Sequence, residues 1–296
     1  MHVLTSIGHS RIAEVSGAIR EHAVRYRVFY IFLALVLFLG GLWVSVRSID
    51  ASELDVAMLP LLLNTLVGAP LAIALNAFSF QAAGQVIGQR VRFMSAFHTC
   101  ATATASNLLP VPAGTVLQSA ALVKHGGGLA NSGLIIIIGN VVLMAIVSVL
   151  LGCSLVSGYP RAGITLVLVG GLVLLSCVVQ IFRSRNLGTA AFFVGARASR
   201  IFLMVLRIQL SFLAIGTSIT LLDAAGFTAA VVLGTVVAVV PAGIGVSESL
   251  GALTAVAIAI APGAAFIAIA LNRISTILVA ALMAAMMSIG KPMRCR

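Results

Sequence analysis

Charged residues are scarce in this sequence. Asp, Glu, Lys and Arg make up 8% of its 296 residues, while apolar residues make up 61%. In a soluble domain about a quarter of the residues are charged and about half are apolar. The shortage of charge excludes a soluble globular protein and indicates an integral membrane protein. At about 20 apolar residues per span the chain has room for about ten spans, and for no separate soluble catalytic domain.

Acidic residues are the scarcest charged class, with 7 against 18 basic residues and a net charge of +11. The basic residues lie in short loops between apolar runs, where topology determinants are found. This placement favours anionic lipid over nucleic acid as the partner.

Residues for catalysis or metal binding are also lacking. Three of the four cysteines, Cys100, Cys153 and Cys177, fall in apolar segments, and Cys295 lies in the basic tail, so no paired or metal-type spacing exists. We find no Ser/His/Asp order, no His-based metal spacing and no pair of carboxylates. The sequence therefore predicts neither an enzyme nor a cofactor-binding protein.

Six apolar runs are long enough to span a bilayer: 28 to 46, 57 to 80, 130 to 155, 164 to 182, 201 to 222 and 264 to 289. Since no small-residue cleavage site follows the first run, it is predicted to be a membrane helix and not a signal peptide.

Two further apolar regions, 94 to 123 and 228 to 260, are interrupted by Pro and Gly. Each yields two pieces of about 12 to 16 residues, which reach about 18 to 24 Å and fall short of a hydrocarbon core about 30 Å thick. We predict that each region forms a re-entrant hairpin that enters and leaves by the same face. Two short full spans remain the alternative, because both return the chain to the same side.

The basic residues predict an inner-membrane protein with both termini in the cytoplasm. In that orientation 14 basic residues fall in segments on the inside, among them Arg197 and Arg200, and only Arg47 and Arg161 fall outside. Such a bias satisfies the positive-inside rule.

This orientation gives the two hairpins opposite directions, the first from the cytoplasm and the second from outside. The flanking runs match as well, so residues 57 to 155 and 201 to 289 are predicted to form two inverted repeats within one membrane domain spanning 1 to 296. Inverted repeats with Pro/Gly-interrupted segments are typical of secondary transporters, whose sites lie near the bilayer midplane. The predicted fold is thus all-α, with six full spans and two inverted re-entrant helical hairpins. In the competing interpretation, Pro and Gly only kink the helices of a plain bundle.

The hairpin tips are the first candidate for a binding site. Interrupted backbone survives in a membrane only where it is buried in protein or lines a wet cavity. The second half-helices start near Thr115 and near Ser247, and the N-terminus of a helix favours phosphate or carboxylate. The candidate substrate-binding residues at the tips are Asn107, Pro110, Gly114, Thr115, Pro241, Gly243, Gly245 and Ser247.

Ionisable residues inside apolar segments are the second candidate, because a charge at that depth needs a partner or a function. Glu248 is the only acidic residue in such a segment, and it either compensates a helix dipole or serves proton coupling or ion pairing. Arg273, near the middle of its run, either pairs with Glu248 or clamps a phosphate in a bidentate fork. Asn272 beside it and Thr276 one turn further on extend the polar spot. Arg207 is a weaker candidate, because at about 10 Å from the cytoplasmic end its long stem can snorkel to the headgroups.

The segment Val240-Pro241-Ala-Gly243-Ile-Gly245-Val-Ser-Glu248, with Arg273 in the next span, resembles the Pro-x-Gly-x-Gly-x-x-Glu signature of a known family. This is the lysylphosphatidylglycerol synthase membrane-region family of flippase-like proteins. Asn107-Leu-Leu-Pro110 followed by Gly114 is similar to its other signature. The resemblance covers residues 30 to 289 and implies a polytopic protein that handles lipids.

The chain departs from the family pattern at three positions. The first motif carries Arg, Glu and Arg where this chain has Pro112, Thr115 and Gln118, so headgroup contacts at those positions do not carry over. The chain resembles a stand-alone member without the soluble aminoacyltransferase domain, which implies translocation without synthesis.

We therefore expect a flippase-like transporter with a polar midplane pocket at the two tips. Its substrate would be a lipid or a lipid-linked anion, for example an anionic phospholipid or a polyprenyl phosphate. Two alternatives stay open: an ion- or proton-coupled carrier of a small anion, and a non-transporting accessory subunit that partners a lipid-synthesis enzyme.

Overall fold

The computed structural model describes residues 27–48, 57–106, 113–126, 128–184, 187–236 and 245–289. These residues form helices, turns and short connections and contain no strand. The helices are α1 (Arg27–Ser48), α2 (Met58–Val86), α3 (Phe93–Ser106), α4 (Ala113–Lys124), α5 (Leu129–Leu155), α6 (Pro160–Ser184), α7 (Leu187–Ala214), α8 (Leu221–Val236), α9 (Val246–Ala257) and α10 (Pro262–Ile289). Within α2, Leu63–Gly68 winds as a π-helix.

Five of these helices, α2, α5, α6, α7 and α10, are long and apolar enough to cross a membrane. The prediction of an all-α protein with long apolar helices is therefore confirmed at this level. The first apolar run lies in α1, a helix of 22 residues.

The prediction for the run 201 to 222 is wrong in its bounds. Helix α7 begins at Leu187 and ends at Ala214, and a turn separates it from α8, which begins at Leu221. Arg197 and Arg200, assigned above to the segments on the inside, lie within α7. These two arginines lower the hydropathy of the first half of α7, and the apolar run therefore begins after them.

Apolar side chains cover much of the outside of the molecule. Large examples more than half exposed include Trp43, Leu66, Leu172, Phe202 and Leu278. Exposed apolar surface on this scale marks contact with a membrane or a partner. The core is also mostly apolar, but polar side chains such as those of Asn64, Arg207 and Glu248 are buried within it.

The interrupted regions each form two short helices, as predicted. Helices α3 and α4 have 14 and 12 residues, and α8 and α9 have 16 and 12. At 1.5 Å per residue the longest of them reaches about 24 Å. The start of α8 is capped reciprocally, because Thr220 and Asp223 each accept a hydrogen bond from the other's backbone N–H. Residues 107–112 and 237–244, which hold both tips, lie outside the described residues.

Two backbone turns recur at matching places in the chain. Gly88 after α2 and Gly216 after α7 have φ of 82° and 77°, and in both turns two successive N–H groups bond back to the end of the helix. This is the Schellman arrangement, which needs a left-handed residue. After α4 and α9, Gly126 and Ala259 have φ of 95° and 57°. Gly216 stands 128 residues after Gly88, and Ala259 stands 133 after Gly126, so the second interrupted region is longer by five residues between its two turns.

The packing of the helices repeats in the same way. Helix α2 packs on α3 as α7 packs on α8, and α4 packs on α5 as α9 packs on α10. Helix α3 packs on α10 as α8 packs on α5, and α1 packs on α10 as α6 packs on α5. Helices α2 and α7, which correspond to each other, pack together. The described residues thus fall into two successive sets of five helices, α1 to α5 and α6 to α10, in which these contacts recur.

Candidate functional site

An ion pair connects α9 to α10. Arg273 Nη1 lies 3.0 Å from Glu248 Oε1 and donates a hydrogen bond of 3.2 Å to Glu248 Oε2. The Glu248 side chain is fully buried, and the Arg273 side chain is 11% exposed. Of the two roles predicted for Arg273, pairing with Glu248 is confirmed.

Glu248 also holds the start of α9. Its Oε2 accepts a hydrogen bond of 2.8 Å from the N–H of Gly245, the residue before the helix. Gly245 has a φ of 81°, in the left-handed region that favours glycine. The carboxylate therefore compensates the positive end of the helix and the guanidinium together, so the dipole interpretation and the pairing interpretation of Glu248 are both correct.

Close backbone contact fixes α9 against α8. A Cβ at Gly234 of α8 would lie 2.6 Å from Ser247 Cα, so only glycine allows this approach. The hydroxyl of Ser247 is buried and donates a hydrogen bond of 3.3 Å to the Val231 carbonyl of α8. Ser247 is therefore a residue that joins the two short helices, and its hydroxyl is already occupied.

Arg207 forms the second buried polar cluster. Its Nε donates to Asn64 Oδ1 at 2.8 Å, and its Nη2 donates to Thr276 Oγ1 at 2.8 Å and to the Asn272 carbonyl at 3.3 Å. Arg207 is 3% exposed and lies well inside α7, so the expectation that it snorkels to the headgroups is wrong. The reason is the earlier start of α7 at Leu187, which places Arg207 deep in a helix of 28 residues.

The π-helical segment of α2 makes room for this cluster. A π turn widens a helix locally and is frequent at functional sites. Here it contains Asn64 and Gly68, and a Cβ at Gly68 would lie only 3.1 Å from Arg207 Cγ. Asn64 also donates a hydrogen bond of 2.8 Å from Nδ2 to the Ser211 hydroxyl, which in turn donates to the Arg207 carbonyl.

The two clusters meet on α10, where Asn272 accepts from Arg207 and is the neighbour of Arg273. With two guanidiniums and one carboxylate, the combined network carries one net positive charge. Among the described residues, Glu248 Oε1, Asn272 Oδ1 and Arg273 Nη2 are buried and without a hydrogen-bond partner. Of these three atoms Arg273 Nη2 is the donor, and a buried network with a free guanidinium donor and excess positive charge is suited to bind an anion.

The other predicted site residues divide into two groups. Asn107, Pro110, Pro241 and Gly243 lie outside the described residues. Gly114 is buried at the start of α4, but Thr115 beside it is exposed and makes no hydrogen bond to the described residues. The described part of the first hairpin therefore adds no charged group to the network.

Thr276 was predicted to extend the polar spot around Arg273 and is a member of the network. Asn64 and Ser211 are members that the sequence did not single out. Short polar side chains are common between membrane helices, so their presence alone carries little signal. Arg207 offered the best indication, because a deep guanidinium requires acceptors on neighbouring helices.

No metal site accompanies this network, since the described residues contain no group of three His, Cys, Asp or Glu side chains that would hold a metal ion. Comparisons of the chain with protein-family models, with curated proteins and with solved structures found no match.

Proposed function

We propose that this protein is a flippase-like transporter that moves an anionic lipid or lipid-linked anion across the inner membrane. The observation that carries the proposal is the buried network of Arg207, Arg273 and Glu248, with its excess positive charge and a free donor at Arg273 Nη2. A guanidinium matches phosphate through two parallel hydrogen bonds. Membrane lipids are the partners this proposal requires, and no enzymatic activity is part of it.

The pairing of Arg273 with Glu248 suits a transport cycle better than permanent binding. A free guanidinium would hold phosphate tightly, whereas a paired one must give up its carboxylate to bind a phosphate, and this competition weakens the binding. Conduction through any binding site needs this balance between entering and leaving. Glu248 would meanwhile keep the hydrogen bond that it accepts from the Gly245 N–H.

The arrangement of the two halves supports a transporter with inverted repeats. In our proposal three full spans of each half cross the membrane: α1, α2 and α5 in the first half, and α6, α7 and α10 in the second. Because three is odd, the second half enters from the opposite face. Two short full spans in place of a hairpin leave that count odd, so the inversion does not depend on how the hairpins insert. The resemblance to the lysylphosphatidylglycerol synthase membrane-region family implies a polytopic protein that handles lipids, which agrees with this proposal.

Transbilayer movement in liposomes tests this function. The purified protein is reconstituted with a trace of fluorescent phosphatidylglycerol or fluorescent phosphatidylcholine, and the fraction accessible to an impermeant quencher is followed in time. We expect phosphatidylglycerol to move faster, by about tenfold if one charge-assisted contact is at stake. Arg273→Ala should remove most of this preference.

Arg161→Ala is the matched control, because it also removes one positive charge but from an exposed position in the first turn of α6. It should keep the preference. If neither lipid moves faster than in empty liposomes while a small anion is taken up, the carrier alternative replaces this proposal. If a folded protein moves nothing in either assay, the accessory-subunit alternative replaces it.

A further inference from the structure

Helix α7 carries a second pair of basic residues that the network described above does not use. Arg197 is 5% exposed, and its guanidinium lies against Gly139 of α5, where a Cβ would be 2.6 Å from Arg197 Cζ. It stacks over the Phe193 ring at 5.3 Å, and its Nε has no hydrogen-bond partner among the described residues. Arg197 is thus a buried cation that contacts an aromatic ring, while its Nε donates to no acceptor in the described part of the chain.

Arg200 lies one turn further along α7. It is close enough to Arg197 and to Cys100 of α3 to interact electrostatically with both. Its side chain keeps some accessible surface, although burial in the protein desolvates it. Like charges three residues apart on a helix are neighbours and repel each other, so the partial withdrawal of both guanidiniums from water calls for an anion nearby.

The described residues do not supply that anion. Their two acidic residues are committed elsewhere, Glu248 to Arg273 and Asp223 to the start of α8. In the first half of the chain, the positions that correspond to Arg197 and Arg200 through the 128-residue offset are Ala69 and Ala72. The pair is therefore a property of the second half alone and does not follow from the shared architecture.

We propose that Arg197 and Arg200 form an access subsite for the phosphate of an anionic lipid headgroup. Arg200, the more accessible of the two, contacts the phosphate, and Arg197 supplies the second charge. This inference rests on the proposed function, since it adds a stage before the Arg207 and Arg273 network. Arg200 and Arg207 are seven residues apart and thus on nearly the same face of α7, about 10 Å apart along its axis. A headgroup bound at Arg200 would lie two turns of α7 away from the Arg207 and Arg273 network.

Thermal unfolding of the purified protein in neutral detergent tests the subsite without any transport. Phosphatidylglycerol, phosphatidylcholine or inorganic phosphate is titrated into the wild type, the double variant R197Q/R200Q and the control Arg183→Gln. Arg183 is exposed in the last turn of α6. We expect phosphatidylglycerol to raise the melting temperature of the wild type and the control more than phosphatidylcholine does. In the double variant its apparent affinity should fall by about tenfold or more.

Each outcome decides the proposal. An unchanged affinity for phosphatidylglycerol in R197Q/R200Q overturns it. Equal stabilisation by inorganic phosphate, lost in the same variant, would show that the site takes the free anion and would overturn its assignment to a lipid. A higher apparent affinity for phosphatidylglycerol in E14Q/E21Q than in the wild type would show that acids of the chain's own N-terminal segment occupy the pair, and would also overturn it.

If R197Q/R200Q does not fold, a second measurement on the wild type tests the subsite. A phosphatidylglycerol analogue with a photoreactive headgroup is crosslinked, and the modified peptide is identified by mass spectrometry. Crosslinks within 187–214 that unlabelled phosphatidylglycerol prevents support the subsite, and their absence from that peptide contradicts it. The two proposals fail separately. If lipid binding needs Arg197 and Arg200 but no lipid moves in the liposome assay, only the proposed function is refuted. If lipid movement depends on Arg273 but binding is unchanged in R197Q/R200Q, only the subsite is refuted.

Discussion

Glu248 and Arg273, 25 residues apart in the sequence, form a buried ion pair in which one carboxylate oxygen also accepts the N–H that precedes α9. The carboxylate thereby joins the first turn of a short helix to the middle of a long one. Since Glu248 is fully buried, water does not screen either contact.

Removing one partner of this pair should destabilise the protein more than removing both. Glu248→Gln leaves Arg273 buried without a counter-charge, and Arg273→Gln does the same to Glu248, at a cost of about 3 to 5 kcal/mol for each. The double variant E248Q/R273Q should lose less than the sum of the two. The free energy of unfolding, measured by titration with denaturing detergent, checks this through a double-mutant cycle. Strictly additive losses would contradict a direct interaction.

The approach of α9 to α8 depends on a missing side chain at Gly234. Gly234→Ala would place a methyl group 2.6 Å from Ser247 Cα and 2.8 Å from Ser247 N, so the helices must separate. Overpacking of this kind costs about 1 to 3 kcal/mol. Gly171→Ala in α6 is the control, because its Cβ meets nothing within 4 Å and alanine favours the helix by about 0.5 to 1 kcal/mol. The melting temperature should fall in the first variant and hold or rise in the second.

The pair of Glu248 and Arg273 could be predicted from the sequence because ionisable residues inside apolar runs are few and each requires a partner. Helix order could be predicted for the same kind of reason, since apolar length and Pro/Gly interruptions are local properties. The repeated turn is also visible in the sequence, as Ile87-Gly88 and Ile215-Gly216. A match of two residues becomes significant only when the backbone shows a similar φ at both glycines.

The place of Asn64 could not be predicted. Its partners Arg207 and Ser211 lie 143 and 147 residues away, and only the packing of α2 on α7 brings them together. The early start of α7 was missed for a different reason. A hydropathy average treats Arg197 and Arg200 as loop residues, whereas α5 and α3 supply the contacts that keep them within a helix.

Asn64 sets the charge of the network, because it offers Arg207 a neutral acceptor where an acid would fit. Asn64→Asp keeps an oxygen near Arg207 Nε and brings the net charge of the network to zero. We expect this variant to fold and to lose its preference for phosphatidylglycerol in the liposome assay. Asn64→Leu, which removes the acceptor, should instead destabilise the protein by about 1 to 3 kcal/mol, the cost of a buried donor without a partner. If the folded Asn64→Asp variant still prefers phosphatidylglycerol, the net charge of the network does not determine the lipid selectivity.

The depth of the two hairpins gives the last prediction, for which Thr115 and Ser249 provide exposed positions in the first turns of α4 and α9. Each is changed to Cys in a background without Cys100, Cys153, Cys177 and Cys295, and intact cells are treated with an impermeant thiol reagent. Helices of 12 to 16 residues are too short to carry a tip across a core about 30 Å thick.

A cysteine at Ser249 should therefore react only from the side of the membrane on which a reference cysteine at the exposed Ser218 reacts. A cysteine at Thr115 should react only from the side on which a reference cysteine at the exposed Arg92 reacts. Our orientation places Ser218 outside and Arg92 in the cytoplasm. If a cysteine at Thr115 were labelled in intact cells as completely as the one at Ser218, α3 and α4 would cross the membrane as two short spans. The two halves of our proposal would still be inverted, because each would then have five crossings. The tips, however, would lie beyond the membrane core, and the site would consist of Arg207, Arg273 and Glu248 alone.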